Sequence, residues 1–316
     1  MIHLKRIIHS PLAFVFVILA MMSTTTLRAA ERSSHCKLEI VDINTGKRTL
    51  IREFNEVIEA PNWTKDGRYL IYNSKGLIYR IRPIPNAKPK RIDTHFVNHC
   101  NNDHVLSPNG KDIALSHLTQ EDTKSRIYIT SLKGRVPTLI TPLAPSYLHG
   151  WSPDGKVLCY CAQRHEDFDI YTIPAQGGIE KRLTTTKGLD DGPEYAPDGN
   201  FIWFNSVRTG SMQIWRMNSD GSNPKQMTFL PNRYAWFPHI APNNKYMVYI
   251  SYDKAEVKAN QHLADKNVKL HITKMENNQP TERLFVIDFF GGQGSINVNS
   301  WSPDSNSFAF VSYLKP

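Results

Sequence analysis

Cysteine is scarce: four residues in 316, at positions 36, 100, 159 and 161. Secreted proteins built on disulfides carry far more for their length, so that class is excluded. Cys159 and Cys161 alternate along one apolar run and share a face, a poor geometry for a bond between them, so buried free thiols are expected. Long apolar runs are also lacking. The stretch from Leu12 to Met22 is 11 residues, short of the roughly 20 that a spanning helix needs. Dense runs of one charge are absent too, with the 38 Lys and Arg scattered among 29 Asp and Glu, which argues against nucleic acid as a partner. No Gly-x-Ser-x-Gly, His-Glu-x-x-His or phosphate-loop motif occurs. A site in this chain would have to be assembled from distant segments.

What the chain does have is a repeated phrase. Trp63-Thr-Lys-Asp-Gly67, Leu106-Ser-Pro-Asn-Gly110, Trp151-Ser-Pro-Asp-Gly155, Tyr195-Ala-Pro-Asp-Gly199, Ile240-Ala-Pro-Asn-Asn244 and Trp301-Ser-Pro-Asp-Ser305 begin 43, 45, 44, 45 and 61 positions apart. That interval is expected for one four-stranded propeller blade per repeat. Pro suits the second position of a type I turn, Asp or Asn the third, and Gly the left-handed residue after it, so each phrase reads as a hairpin turn. An apolar run follows each copy, for example Val157-Leu-Cys-Tyr160 and Phe201-Ile-Trp-Phe204, consistent with strands buried on both faces. Asp169-Ile-Tyr171 and Gln213-Ile-Trp215, each 18 residues past its anchor, read as third strands, with Arg126-Ile-Tyr128 and Leu77-Ile-Tyr79 in comparable places.

Lys37 to Gly46 is a second half of a repeat without a first half, and the C-terminus follows a first half without a second. The expected fold is therefore all-β: a six-bladed β-propeller whose N-terminal strands complete the last blade, leaving no sheet edge exposed.

Residues 1–30 read as a secretory signal peptide: Lys5 and Arg6 precede the apolar run, and Thr and small residues lead to Ala29-Ala30. A periplasmic or secreted protein is expected, with one domain over residues 31–316 and no membrane span in the mature chain. Without that segment 35 basic face 29 acidic side chains, a net +6. So mild a balance tolerates acidic partners such as uronate-bearing glycans or a membrane surface but specifies none.

The run of an aromatic anchor, Ser-Pro-Asp-Gly, an apolar strand, Arg, Gly, Asp-Ile-Tyr and a closing Leu-Thr resembles the TolB-like β-propeller repeat, a WD40-like pattern also called PD40. Residues 151–184 and 195–228 carry it most fully, with Arg164 and Arg208 ahead of the third strand. The expected function is an exported binding module whose ligand, taken at the central funnel, is a glycan or an envelope protein. TolB itself looks like a periplasmic partner-binding propeller with an extra N-terminal domain, for which the residues ahead of these repeats are expected to be too few. Relatives with similar repeats include oligogalacturonate lyases, whose metal is held largely by histidines. A metal-dependent polysaccharide lyase or hydrolase is thus an alternative, and a protein-interaction scaffold of the cell envelope a further one.

In a propeller the innermost strand of each blade precedes the turn phrase, and the residues just ahead of the anchors line a central funnel. Here they are Asn62, Asp103, His104, His149, Glu194, His239 and Asn299. His104, His149, Glu194 and His239 are the candidates for a divalent metal; polar side chains bonded to one another around a channel are the simpler reading. Two of these histidines lie two residues before their anchors, while Glu194 and His239 lie one before, so the sets need not meet. Asp190, Asp191, Tyr234, Trp236 and Phe237 stand around the same mouth, where rings beside carboxylates suit a sugar but equally suit packing between blades. A polar insertion near 253–269, containing Lys254, Glu256, Lys258, His262, Asp265 and Lys266, is expected to overhang that mouth. Arg164 and Arg208 recur at equivalent places and are expected to make structural bonds.

Overall fold

The turn phrases do what their chemistry dictates. In the computed structural model, which describes residues 34–315, Ser152 Oγ donates to Asp154 Oδ1 at 2.6 Å, and Asp154 Oδ1 also accepts from the Lys156 amide at 3.1 Å. The Gly155 amide returns to Ser152 O at 2.8 Å with Gly155 at φ 72°. Asn244 and Ser305 take that left-handed position in the last two copies, both at φ 61°. Each turn sends the chain from an innermost strand into a fully or nearly fully buried second strand.

Five four-stranded antiparallel sheets result, with innermost strands Glu59–Trp63, Cys100–Leu106, Ser146–Trp151, Asp190–Tyr195 and Arg233–Ile240. The third strands include Leu77–Ile81, Ser125–Ser131, Phe168–Pro174 and Gln213–Asn218, where the Ile-Tyr and Ile-Trp pairs placed them. The sixth blade is built from both ends of the chain. Ser307–Tyr313 pairs antiparallel with Cys36–Asp42, register Cys36 to Tyr313 through Asp42 to Ser307, and Cys36–Asp42 pairs in turn with Arg48–Phe54. Its innermost segment is less regular than the others, with an isolated bridge from Trp301 to Phe308 and backbone bonds such as Ala309 N to Ser300 O at 3.0 Å instead of a full ladder. The fold is a closed six-bladed β-propeller. The segment 1–30 read as a signal peptide lies outside the described residues.

The longer spacing before the last phrase is shared out more widely than one loop. The loop of blade five covers only residues 254–265, while its third and fourth strands, Lys266–Glu276 and Gln279–Gly291, run to 11 and 13 residues. The fourth strands of blades one to four, such as Lys181–Arg182, have two, and that of blade six, Arg48–Phe54, has seven. All four cysteines are buried free thiols, and burial pushes the Cys36 thiol up to about 12.

The seam of blade six has its own core: Leu38, Ile51, Ile58, Ala309 and Val311 are buried together. Across it, the Glu39 carboxylate accepts from Arg48 Nη2 at 2.6 Å and from Ser312 Oγ at 2.5 Å. Because the closing strand carries Leu38 with no exposure, Leu38→Ala should cost about 2–5 kcal/mol in a denaturant melt. An unchanged midpoint would mean that this strand does not hold the ring shut.

Candidate functional site

The inner strands crowd around one axis, and each carries a bulge just before its anchor. The pairing register slips between Glu59 and Asn62, Cys100 and His104, Leu148 and Gly150, Asp191 and Glu194, and Trp236 and His239. In three blades the bulge has the same build: a left-handed residue followed by proline, namely Ala60-Pro61, Gly192-Pro193 and Phe237-Pro238, with φ of 53°, 61° and 53°. A Cβ on Gly192 would sit 2.8 Å from Asn205 Oδ1, so only glycine fits there. These bulges re-aim side chains, and the funnel residues separate into two layers.

The lower layer closes on itself. Glu194 Oε2 accepts from His239 Nδ1 at 2.7 Å, and Glu194 Oε1 accepts from the Ile240 amide at 3.1 Å and from Asn299 Nδ2 at 2.7 Å. Asn62 Nδ2 donates to Asn299 O at 2.6 Å, while Asn62 Oδ1 accepts from the Leu106 amide at 3.0 Å. Trp151 Nε1 donates to Val105 O at 3.0 Å, and Cys159 Sγ reaches Pro193 O at 3.1 Å. Blades four, five, six, one, two, three and again four are thereby joined in a hydrogen-bonded girdle. His239 turns its second nitrogen to Ile296 O, so both ring nitrogens lie against acceptors. Four of the expected funnel residues, Asn62, Glu194, His239 and Asn299, thus bond to one another across blades.

The upper layer opens into a cavity of about 490 Å³ lined by Asp103, His149, Asp191 and His262, with Tyr147, Phe168 and Phe237 among its walls. His149 Nε2 lies 3.3 Å from Asp191 Oδ1, and His262 Nε2 lies 3.7 Å from Asp191 Oδ2. Phe237 stacks on His149, centroids 6.1 Å apart at 24°, and meets His262 edge-on at 5.2 Å. Trp236 backs His262 at 4.5 Å. The insertion of blade five does overhang the mouth, through His262. Below, a second cavity is lined by Trp63, Trp151, Tyr195 and Trp301, and His149 lines both.

Electrostatics sets the upper layer apart. Burial alone would depress His149 and raise Asp191, but the bond between them and the neighbouring charges win: His149 is raised above its ordinary value, and Asp191 is held well below the usual carboxylate range by His149 and His262. Burial pushes Asp103 up to about 6, partly offset by the His149 charge. Burial lowers His262 despite the Asp191 charge. One carboxylate that stays ionised well into acid thus faces another that takes up its proton already at about pH 6. Such a set can accept from and donate to a polar ligand at once.

The other expected residues lie elsewhere. His104 lines neither cavity; it is wholly buried at the backbone of Glu59, and burial lowers it to about 4. His104, His149, Glu194 and His239 are therefore not gathered as a metal set, and among the described residues no three His, Cys, Asp or Glu side chains are placed to hold one ion. Asp190 diverges from Asp191 and pairs with Arg208 Nη2 at 2.9 Å. Arg164 Nε lies 2.7 Å from Glu180 Oε1 and its Nη1 donates to Pro145 O at 2.8 Å, so both arginines make structural bonds. Tyr234 packs on the core of blade five under Lys254, and Trp236 is fully buried. His262 is the cavity residue the anchors could not reveal, since it sits outside the repeat; its polar loop was the available signal.

Known proteins offer parallels. The model for the TolB β-propeller domain (PD40) matches residues 103–283. An uncharacterized protein of Agrobacterium fabrum is 45% identical over 89% of this chain and 94% of that protein. A solved structure from Agrobacterium tumefaciens assigned as TolB superposes with TM-score 0.82 at 43% identity, covering 90% of this chain and 99% of the other. The Tol-Pal system protein TolB of Francisella tularensis is 28% identical over 65% of this chain, a match spanning 48% of that protein.

The His149–Asp191 pair has a titration signature. Its contribution to stability is present above the ordinary carboxylate value of about 3.9 and below the ordinary histidine value of about 6.5. It fades as acid protonates Asp191 or as base removes the His149 proton. In Asp191→Asn, burial should win and drop His149 below 6.5, readable by NMR of the ring protons; a His149 pKa that stays high would refute the pairing.

Proposed function

We propose, for a chain that belongs to the TolB β-propeller domain family, that it is an exported binding module whose ligand enters the upper cavity against Asp103, His149, Asp191 and His262. The observation that carries this is the convergence of four ionisable side chains from three blades and one insertion on a concave space walled by aromatic rings. Cavities of a few hundred cubic ångströms with a few placed polar groups are where small ligands bind. The girdle below supplies rigidity, so the site is held ready before the ligand arrives. A sugar is compatible with rings beside carboxylates, its apolar face on Tyr147 or Phe168 and its hydroxyls on the acids. Export rests on Lys5, Arg6 and the apolar stretch Leu12 to Met22 ahead of Ala29-Ala30.

A second reading, a part in an envelope protein assembly, is supported by the match to the Tol-Pal system protein TolB, although that match spans about half of that protein. A protein partner would seat a segment in the same mouth.

The two layers should separate experimentally. Thermal melts against a panel of sugars and peptides should find a ligand that raises Tm, as expected for about 2.7 kcal/mol of stabilisation at 100 times Kd. His149→Ala and Asp191→Asn should abolish that rise. Glu194→Gln should lower Tm in the free protein yet keep the rise. A ligand whose stabilisation survives both cavity variants would place the binding site elsewhere.

A further inference from the structure

Resting on the reading of the upper cavity as the binding site, we infer that its ligand is a small organic cation bearing an amine or guanidinium group. The chain as a whole is basic, with a net charge of +9, yet no lysine or arginine lines this cavity, while Asp103, Glu166, Asp167 and Asp191 all do. The nearest regular arginines of the repeat are turned to other partners, Arg164 to Glu180 and Arg208 to Asp190. His149 and His262 are the wall groups whose charge can oppose the acids, and both are turned to Asp191. The field inside the mouth is therefore negative, opposite in sign to the surface average. An acidic ligand such as a uronate would meet four carboxylates with no lysine or arginine to answer it and both histidines turned to Asp191, so the expectation of acidic glycans drawn from net charge does not carry into the cavity.

A second observation is independent of that census. Asp103 is 5% exposed. Its Oδ2 accepts from Asn101 Nδ2 at 2.6 Å, but among the described residues Oδ1 has no hydrogen-bond donor, and the residue lines the cavity. An acceptor left without a protein donor beside a cavity is open to a bond from a ligand. A ligand N–H is the group that satisfies it. Tyr147, Phe168 and Phe237 offer ring faces on which a cation is attracted and an apolar stem packs. Ammonium or guanidinium needs only such single acceptors and faces. A metal ion needs several ligands converging on one point, and the described residues place no three of the usual ligands together.

The test is calorimetric titration of the mature protein with spermidine, agmatine and glucosamine, set against N-acetylglucosamine, galacturonate and calcium chloride. At least one of the three amines should bind, more weakly as salt rises. Asp103→Asn should weaken it about tenfold or more, the loss expected for a hydrogen bond to a charged group. Glu282→Gln, which removes an exposed carboxylate paired with Lys274 on the far hairpin of blade five, should leave it unchanged. Circular dichroism confirms that each variant is folded, and Asp191→Asn stands in if Asp103→Asn is not. Failure of all three amines overturns the inference. Binding of N-acetylglucosamine, galacturonate or calcium that is lost in Asp191→Asn also overturns it but keeps the cavity as the site. Amine binding that neither cavity variant disturbs overturns the cavity reading itself.

Discussion

Everything in this molecule depends on how six inner strands share one axis. Strands meeting there bring polar backbone and side chains into a space too narrow to hydrate freely, and each group must find a partner or incur the cost of desolvation. The girdle running from Glu194 through His239, Asn299 and Asn62 to the Leu106 amide is the solution. It also explains the choice of residues. Glu194 is a carboxylate because it must accept three donors from two neighbouring blades, and Asn62 and Asn299 are amides because each must donate and accept at once. The tryptophan anchors extend the same logic outward: Trp151 and Trp301 donate their indole N–H groups to the preceding inner strand. An aromatic anchor thus packs one blade and ties it to the next.

With the lower layer satisfied internally, the upper layer is left with charges that have no structural duty of comparable extent. A buried histidine beside a buried aspartate is expensive to assemble, and replacing such pairs by apolar groups is often neutral or stabilising. Asp103 makes the arrangement less economical still, because a second carboxyl must either hold its proton or repel the first. That expense is spread over residues from separate blades and concentrated at the one point where the channel opens. Stability alone gives no reason for it, whereas a ligand does.

The blade count, the turns, the ring closure by N-terminal strands and the structural role of Arg164 and Arg208 were all legible from the sequence, because periodic phrases and turn chemistry are local. The divergence of Asp190 from Asp191 was legible too, since neighbours on a strand point opposite ways. The layering of the funnel was not. Counting back from the anchors treats every inner strand as regular, whereas bulges shift His104 into the interface with blade one and put Glu194 and His239 in contact across blades. A trace of this exists in the sequence: Ala60-Pro61, Gly192-Pro193 and Phe237-Pro238 stand before Asn62, Glu194 and His239, and proline inside an inner strand marks a bulge. His262 had no such trace, because its place depends on how an aperiodic loop folds over the mouth.

Phe237 shows why the two layers cannot be tuned separately. Its left-handed backbone makes the bulge that delivers His239 to the girdle, and its amide donates to Asn205 Oδ1 at 2.8 Å. The same residue's ring stacks on His149 and closes edge-on against His262. A bulky residue at positive φ is strained by a kcal/mol or more, and glycine, which stands at the equivalent place in blade four, would relieve it. Glycine would also remove the wall that orders both histidines around Asp191. The strain at Phe237 is therefore best understood as the cost of presenting one aromatic ring to the cavity from a strand whose backbone is already committed to the ring of blades.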